Sequence, residues 1–277
     1  MNDTNAAAAD RAVDLDGIAV AGGSVTGRHH RRADRGCQDA FAWQRAPGCI
    51  VAAVCDGCGS GRRSEVGAAL GARLWTRAVA ARAGGDLGDP ALWAAARADV
   101  VARLGDLADA LGGDRVATVV EHFLFTTVVA AMTPRQAAVF ALGDGLYAID
   151  GDVRILGPFA DDRPPYVGYD LLGAPPPATV LDVRAAASVD SILLASDGVC
   201  DLLARADQPA GLGGAPVGPL SQFWTDDQFV RNPDAVRRRL AVINQEVVRV
   251  DAARGVVERG GQPLADDTTI VVIRRVS

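Results

Sequence analysis

Residues 49–60 read Cys-Ile-Val-Ala-Ala-Val-Cys-Asp-Gly-Cys-Gly-Ser, an apolar run that ends in Asp56-Gly57 and a glycine-rich loop. An apolar run this short, bounded by turn residues, reads as a buried strand. The pattern recurs. Ala137 to Gly143 precedes Asp144-Gly145, and Ser191-Ile-Leu-Leu-Ala-Ser196 precedes Asp197-Gly198. Another carboxylate pair, Asp266-Asp267, stands just ahead of the strand-like run from Thr268 to Arg274. An acid at the end of a buried strand lies at the rim of the core, where its charge is costly unless paired or metal-bound. Acids from strands far apart in sequence can converge on one point, and oxygen ligands of this kind suit hard divalent cations. Asp-Gly after an apolar run is also a common hairpin turn, because Gly supplies positive φ and Asp tolerates turn geometry. Taken singly, each site reads as a turn; the recurrence argues for a cage.

The rest of the chain bounds the possibilities. Its 277 residues suffice for one large domain with a sizeable core, and 49% apolar composition indicates a globular fold. A net charge of −6 argues against a nucleic-acid binder with a broad basic face. All 28 basic residues are Arg, which reads as composition bias. No apolar run reaches the ~18–20 residues of a membrane span, and Met1 to Asp14 carries no hydrophobic signal core. The five Cys form no disulfide-scaffold pattern, so a cytoplasmic protein with reduced thiols is expected.

Residues 1–14 read as a disordered lead, and 15–277 as one domain. Strands are expected at 17–26, 39–43, 49–55, 123–132, 137–143, 179–183, 191–196 and 268–274, with a hairpin of 146–150 against 153–156. Helices are expected from Ser64 to about Arg82, from Asp89-Pro90 to about Leu111, over 114–121, over 199–204, and from Pro233 to about Val250. Within the first of these, Val66, Leu70, Leu74 and Val79 have helical spacing. Arg28 to Arg32 reads as a basic loop, 157–178 as a surface excursion and 205–219 as a mobile segment. Hairpin-linked strands with helices in blocks predict an α+β fold of antiparallel sheets covered by helices, because strict βαβ alternation is missing. Trp75, Trp93 and Phe123 read as core.

Gln38-Asp39-Ala40, Asp56-Gly57-Cys58-Gly59-Ser60 with Ser64-Glu65, Asp144-Gly145, Ser196-Asp197-Gly198 with Asp201, and Asp266-Asp267-Thr268 form an ordered set over about residues 20–274. This set resembles the metal-dependent type-2C protein serine/threonine phosphatases, in particular their bacterial branch. The resemblance implies two packed antiparallel β-sheets flanked by helices, an α-β-β-α sandwich. It also implies two Mn²⁺ or Mg²⁺ ions and a third, weaker one. By the resemblance, Asp56 bridges both ions, the Gly57 carbonyl binds one, Asp197 and Asp266 bind the other, and Asp39 holds metal-bound water. Asp144 and Asp201 match positions of a further, weaker metal site. A metal-bridging hydroxide then attacks phosphoserine or phosphothreonine in line, without a covalent intermediate. The implied partners are a phosphorylated protein substrate and a cognate Ser/Thr kinase. A monomer is expected, with no nucleic acid and no membrane.

The chain departs from this pattern in places. Eukaryotic members usually carry an acid at the position of Gln38 and a His, the proposed proton donor, at that of Cys58. His30, in the loop ahead of Gln38, could supply the proton instead, or could be a solvated loop residue. The family's phosphate-binding Arg has no clean match, leaving Arg28, Arg31, Arg32 and Arg35 as candidates. Cys55-Asp-Gly-Cys58 is a C-x-x-C that could be redox-active, half a zinc site or mere packing. Cys58 and Cys37 near the metals could make activity sensitive to oxidation. Residues 205–231, with Trp224 and Phe229, fall where the family has a variable flap, and could select substrate or simply cover the surface. Two readings follow: a phosphoprotein phosphatase, or a phosphatase-like scaffold that binds phosphorylated partners without turning them over. A redox protein is a third, but it lacks the βαβ context.

Overall fold

Ile18–Val25 forms β1, the short helix Arg28–Arg32 is α1, and Asp39–Ala46 and Cys49–Gly57 form the hairpin β2–β3. The computed structural model describes residues 12–178, 180–210 and 214–276. Three helices follow: α2 (Ser64–Ala80), α3 (Pro90–Leu111) and α4 (Arg115–His122). Asp89 and Asp114 cap α3 and α4 by accepting hydrogen bonds from first-turn amides. The chain then lays down β4 (Phe125–Met132), β5 (Gln136–Leu142), β6 (Gly145–Ile149), β7 (Asp152–Leu156), β8 (Val180–Ala185) and β9 (Ser191–Ala195). Short helices α5 (Cys200–Ala204), α6 (Gln222–Thr225) and α7 (Gln228–Arg231) lead to α8 (Ala235–Ile243), β10 (Glu246–Asp251), β11 (Val256–Gly261) and β12 (Thr268–Arg275).

Among the described residues, ten strands make two antiparallel sheets, ordered β1-β12-β9-β6-β7 and β2-β3-β4-β5-β8, with β10-β11 as a separate hairpin. The architecture is the α-β-β-α sandwich. Period-2 alternation explains the continuous apolar runs. On β3, Ile50, Ala52 and Val54 point between the sheets against Ile192 and Leu194 of β9 and Val271 and Ile273 of β12. Their neighbours Val51, Ala53 and Cys55 face α2 and α3, where Trp75 and Trp93 flank Phe140 at 5.3 and 5.1 Å between ring centroids. On the other sheet, Leu193, Ala195, Ile270 and Val272 face Phe223, Phe229 and Leu240. Both faces of each central strand are therefore buried.

The structure differs from the sequence expectations in instructive ways. The buried face of α2 is Gly67, Ala68, Gly71, Ala72, Trp75 and Val79, whereas Val66 is exposed. Small residues let α2 lie against the sheet: a Cβ on Gly71 would come within 2.4 Å of the Phe125 ring. The basic stretch 28–32 is helical rather than a loop. The helix expected to Val250 stops at Ile243, because the buried Asn244 turns its side chain to the Thr26 carbonyl (3.0 Å) and the Leu264 amide (3.1 Å). The β-branched Val247, Val248 and Val250 then enter the β10–β11 hairpin. The segment 205–231 is not a loose loop in its described part. Val217, Leu220, Phe223 and Phe229 are buried against the outer face of β9 and β12. Of the expected lead, residues 1–11 lie outside the described residues, while Val13 is buried and its amide donates to the Pro134 carbonyl at 2.7 Å. No helix among the described residues is long and apolar enough to cross a membrane.

Candidate active site

The alternation that packs the core also aims the acids. Because Ile50, Ala52 and Val54 face the seam between the sheets, Asp56, next in that series, reaches the seam's end. Asp39 pairs directly with Asp56 across β2–β3, so both carboxylates share one side. From the other sheet Ser196, next after Ile192 and Leu194, donates its hydroxyl to Asp39 Oδ2 at 2.6 Å and accepts from the Thr269 amide at 3.0 Å. Asp39 is thus the stitch between the two sheets at the site's floor.

Above it lies a polar cavity of about 280 Å³ whose lining includes His30, Asp56, Gly57, Asp144, Asp197 and Asp266. These residues come from five separated segments. Their convergence depends on close backbone approach. A Cβ on Gly198 would lie 2.0 Å from the Asp267 carbonyl oxygen, and one on Gly27 would lie 2.2 Å from the Asp266 carbonyl carbon. Only glycine permits the end of β1 and the end of β9 to press on the Asp266-Asp267 turn.

None of the Asp-Gly pairs singled out in the sequence is a hairpin tip. Asp56-Gly57 ends β3 while still paired with Thr126 and Phe125. Asp144 carries the chain from β5 in one sheet to β6 in the other. Asp197-Gly198 starts a 3₁₀ turn after β9.

The electrostatics are those of a site built for cations. Burial pushes the Asp56 carboxyl well up, reinforced by Asp39, Asp197, Asp144 and Asp266. Burial likewise lifts Asp39 to about 8, with the charge of Asp267 adding to it. Asp39 Oδ1 is buried with no hydrogen-bond donor. No arginine lines the cavity among the described residues. Mutually repelling carboxylates gathered with no arginine among them, and an orphaned oxygen behind them, fit hard divalent cations and their bound water.

Other residues expected in the site take different positions. Asp201 Oδ2 accepts from the Ala265 amide at 2.6 Å, ordering the turn before Asp266 rather than lining the cavity. Arg35 spans the Gly59 and Gly61 carbonyls at 3.0 and 2.7 Å, Arg28 donates to the Gln262 carbonyl at 3.1 Å, and Arg31 to the Thr26 carbonyl at 3.0 Å. Arg32 is exposed, and none of these arginines lines the cavity. Gln38 is a brace: its amide donates to Asp267 Oδ2 at 2.5 Å and its side chain to the Gly61 carbonyl at 3.0 Å. Cys55 is buried on the helix side, 3.4 Å from the Thr127 hydroxyl, whereas Cys58 lines the cavity. Burial drives the Cys37 thiol far up, which disfavours its thiolate and its oxidation.

Three contributors were not among the site residues expected from the sequence. Asp267 is buried, accepts from the Gly27 amide at 2.7 Å, and pairs with His30 Nδ1 at 2.8 Å, fixing that ring at the cavity wall. The ligand atoms of His30, Asp266 and Asp267 lie within 4.8 Å of one another. Tyr166 and Pro164 also line the cavity, from the segment read as a surface excursion. The described residues of 205–231, placed as a flap beside the site, line none of it. Only the local sequence of Asp267, an acid beside an acid before a strand, gave any hint.

A profile of the protein phosphatase 2C family matches residues 26–237. Among solved structures, a Ser/Thr phosphatase of S. agalactiae shares 12% identity at a TM-score of 0.52, covering 94% of this chain and 100% of its own. A point mutant of a bacterial serine phosphatase shares 14% identity at a TM-score of 0.50, covering 92% of this chain and 97% of its own. No curated protein matches the chain in sequence.

Proposed function

The chain belongs to the protein phosphatase 2C family, and we propose that it is a metal-dependent phosphatase hydrolysing phosphoserine and phosphothreonine in proteins. The observation that carries this reading is the convergence of Asp56, Asp144, Asp197 and Asp266 on one cavity, over a buried Asp39 with an orphaned oxygen. Asp56 with the Gly57 carbonyl, and Asp197 with Asp266, are the residues that would hold two Mn²⁺ or Mg²⁺ ions, and Asp144 serves a further, weaker one. Asp201 supports Asp266 through the Ala265 amide. Such ions acidify a water to make a nucleophile at neutral pH and neutralise charge growing on phosphoryl oxygens.

The protein's own groups supply the remainder. Asp39 accepts a hydrogen bond from the attacking water's shell through Oδ1, while Ser196 fixes Oδ2. His30 is held through Nδ1 by Asp267, which orients the ring and leaves Nε2 to deliver a proton to the departing serine or threonine oxygen. In this reading His30 replaces the missing donor at Cys58. Residues 15–277 act as one catalytic unit in the cytoplasm, as a monomer, against the products of a Ser/Thr kinase. The deciding test is hydrolysis of p-nitrophenyl phosphate and a phosphothreonine peptide with Mn²⁺, with EDTA, and in Asp197→Asn. Turnover that needs Mn²⁺ and disappears in the variant is expected. Wild-type turnover no greater than the variant's sinks the enzyme reading, and Mn²⁺ binding without turnover favours the scaffold.

A further inference from the structure

One wall of the cavity is acidic; a second is built from neutral donors. Ser60, Cys58 and Tyr166 all line it, with Cys58 Sγ 3.1 Å from Ser60 Oγ. No arginine lines the cavity among the described residues, and of those expected there Arg35 is held by the Gly59 and Gly61 carbonyls, Arg28 by that of Gln262 and Arg31 by that of Thr26. A phosphate monoester nevertheless presents several charged oxygens, and those turned away from any cation still require hydrogen-bond donors.

We propose that Tyr166 and Ser60, which line the same cavity, form a rim that binds and orients the phosphoryl group, so that neutral donors take the role an arginine would otherwise have. This rests on the phosphatase reading of the same cavity. Hydroxyls donate without cancelling charge, which leaves charge neutralisation to the cations alone.

The segment carrying Tyr166 is built to hold it in place. Val167 is fully buried, and Gly168 packs so tightly on the Phe123 carbonyl that a Cβ would approach to 2.4 Å. Arg97 of α3 grips Asp170 through two hydrogen bonds of 2.7 and 2.5 Å and the Pro176 carbonyl through a third of 2.7 Å. Tyr169 meets the Tyr166 ring edge-on at 5.5 Å. A phenol fixed by such packing donates with little loss of rotamer freedom on binding.

The test uses the full chain with saturating Mn²⁺ and inorganic phosphate as probe. Phosphate binding is read by calorimetry and by competitive inhibition of p-nitrophenyl phosphate hydrolysis. Tyr166→Phe is expected to weaken phosphate by about ten- to a hundredfold, the value of a hydrogen bond to a charged group, while the Mn²⁺-induced rise in melting temperature stays unchanged. Ser60→Ala should shift affinity in the same direction, with the double variant falling short of the product of the single effects. Wild-type phosphate affinity in both single variants overturns the rim. So does an undisturbed Tyr166→Phe beside a tenfold loss in Arg35→Ala, which returns the role to arginine. Tyr166-dependent phosphate binding in a protein without turnover upholds the rim while removing the phosphatase reading, because calorimetry does not depend on hydrolysis.

Discussion

Asp150-Gly151 and Asp56-Gly57 are the same dipeptide after the same kind of apolar strand, yet they do opposite things. Asp150 and Gly151 join β6 to β7 as a two-residue hairpin with φ of 49° and 85°. The Asp150 carboxylate is answered by the Asp190 and Ser191 amides at 2.9 and 2.7 Å. Asp56 is instead surrounded by other carboxylates that raise it further. Local sequence makes both turns possible; the charges that surround each one decide which acid is spent on the fold and which is held in reserve for a ligand.

The largest expected break between the two is catalytic. Asp56→Asn should reduce Mn²⁺-dependent hydrolysis by about a thousandfold or more, since in the proposed mechanism Asp56 would hold both ions. Asp150→Asn should leave kcat and KM within about twofold of wild type, because Asp150 lies outside the cavity and Asn keeps an oxygen for the two amides while tolerating positive φ. Equal activity in the Asp56 variant and wild type would refute the site assignment.

The glycines sharpen the contrast next. Gly198→Ala places a Cβ 2.0 Å from the Asp267 carbonyl oxygen, so the Asp266-Asp267 turn must move. A loss of stability of about 2 kcal/mol or more is expected, together with weaker Mn²⁺ affinity in a thermal-shift titration. Gly151→Ala only strains a positive φ, at about 1 kcal/mol and with unchanged Mn²⁺ affinity. If Gly198→Ala melts and binds Mn²⁺ like wild type, close approach does not hold the site together.

A third, gentler difference lies in pH. An unfolded aspartate titrates near ~4, whereas burial lifts Asp39 to about 8 in the metal-free chain. Between those values the folded chain keeps a proton that the unfolded chain has released. Stability is therefore greatest at the acid end of this window and is lost as pH rises through it, by at most about 1.4 kcal/mol per pH unit per group. EDTA-treated protein should melt at a lower temperature at pH 8 than at pH 5.5, and Mn²⁺ should flatten that slope. A metal-free protein that gains stability towards pH 8 would show that the carboxylates are not held against their charge.

Much of the site could be seen in the sequence because each acid follows a buried strand, and strands announce themselves by composition. Asp56, Asp144, Asp197 and Asp266 meet at one cavity as that pattern suggested. The arginines of 28–35 could not be placed, because a long side chain goes wherever tertiary neighbours offer carbonyls, as Arg35 does at Gly59 and Gly61. Tyr166 was invisible for a similar reason. It lies in a Pro/Gly-rich stretch whose local signal is that of a loop, and the Arg97–Asp170 grip that fixes it links residues far apart in the chain.

The sequence by itself determined the strands of the two five-stranded sheets, the two long helices and the four acids that meet at the cavity, since periodicity and turn residues are local properties. Only the tertiary structure decided what the acids face. Register across β2–β3 set Asp39 beside Asp56. The seam between the sheets added Ser196, and glycine-permitted contacts at Gly27 and Gly198 brought Asp266, Asp267 and His30 alongside. Repulsion among charges depends on distance through space, and that distance is fixed by packing rather than by position along the chain.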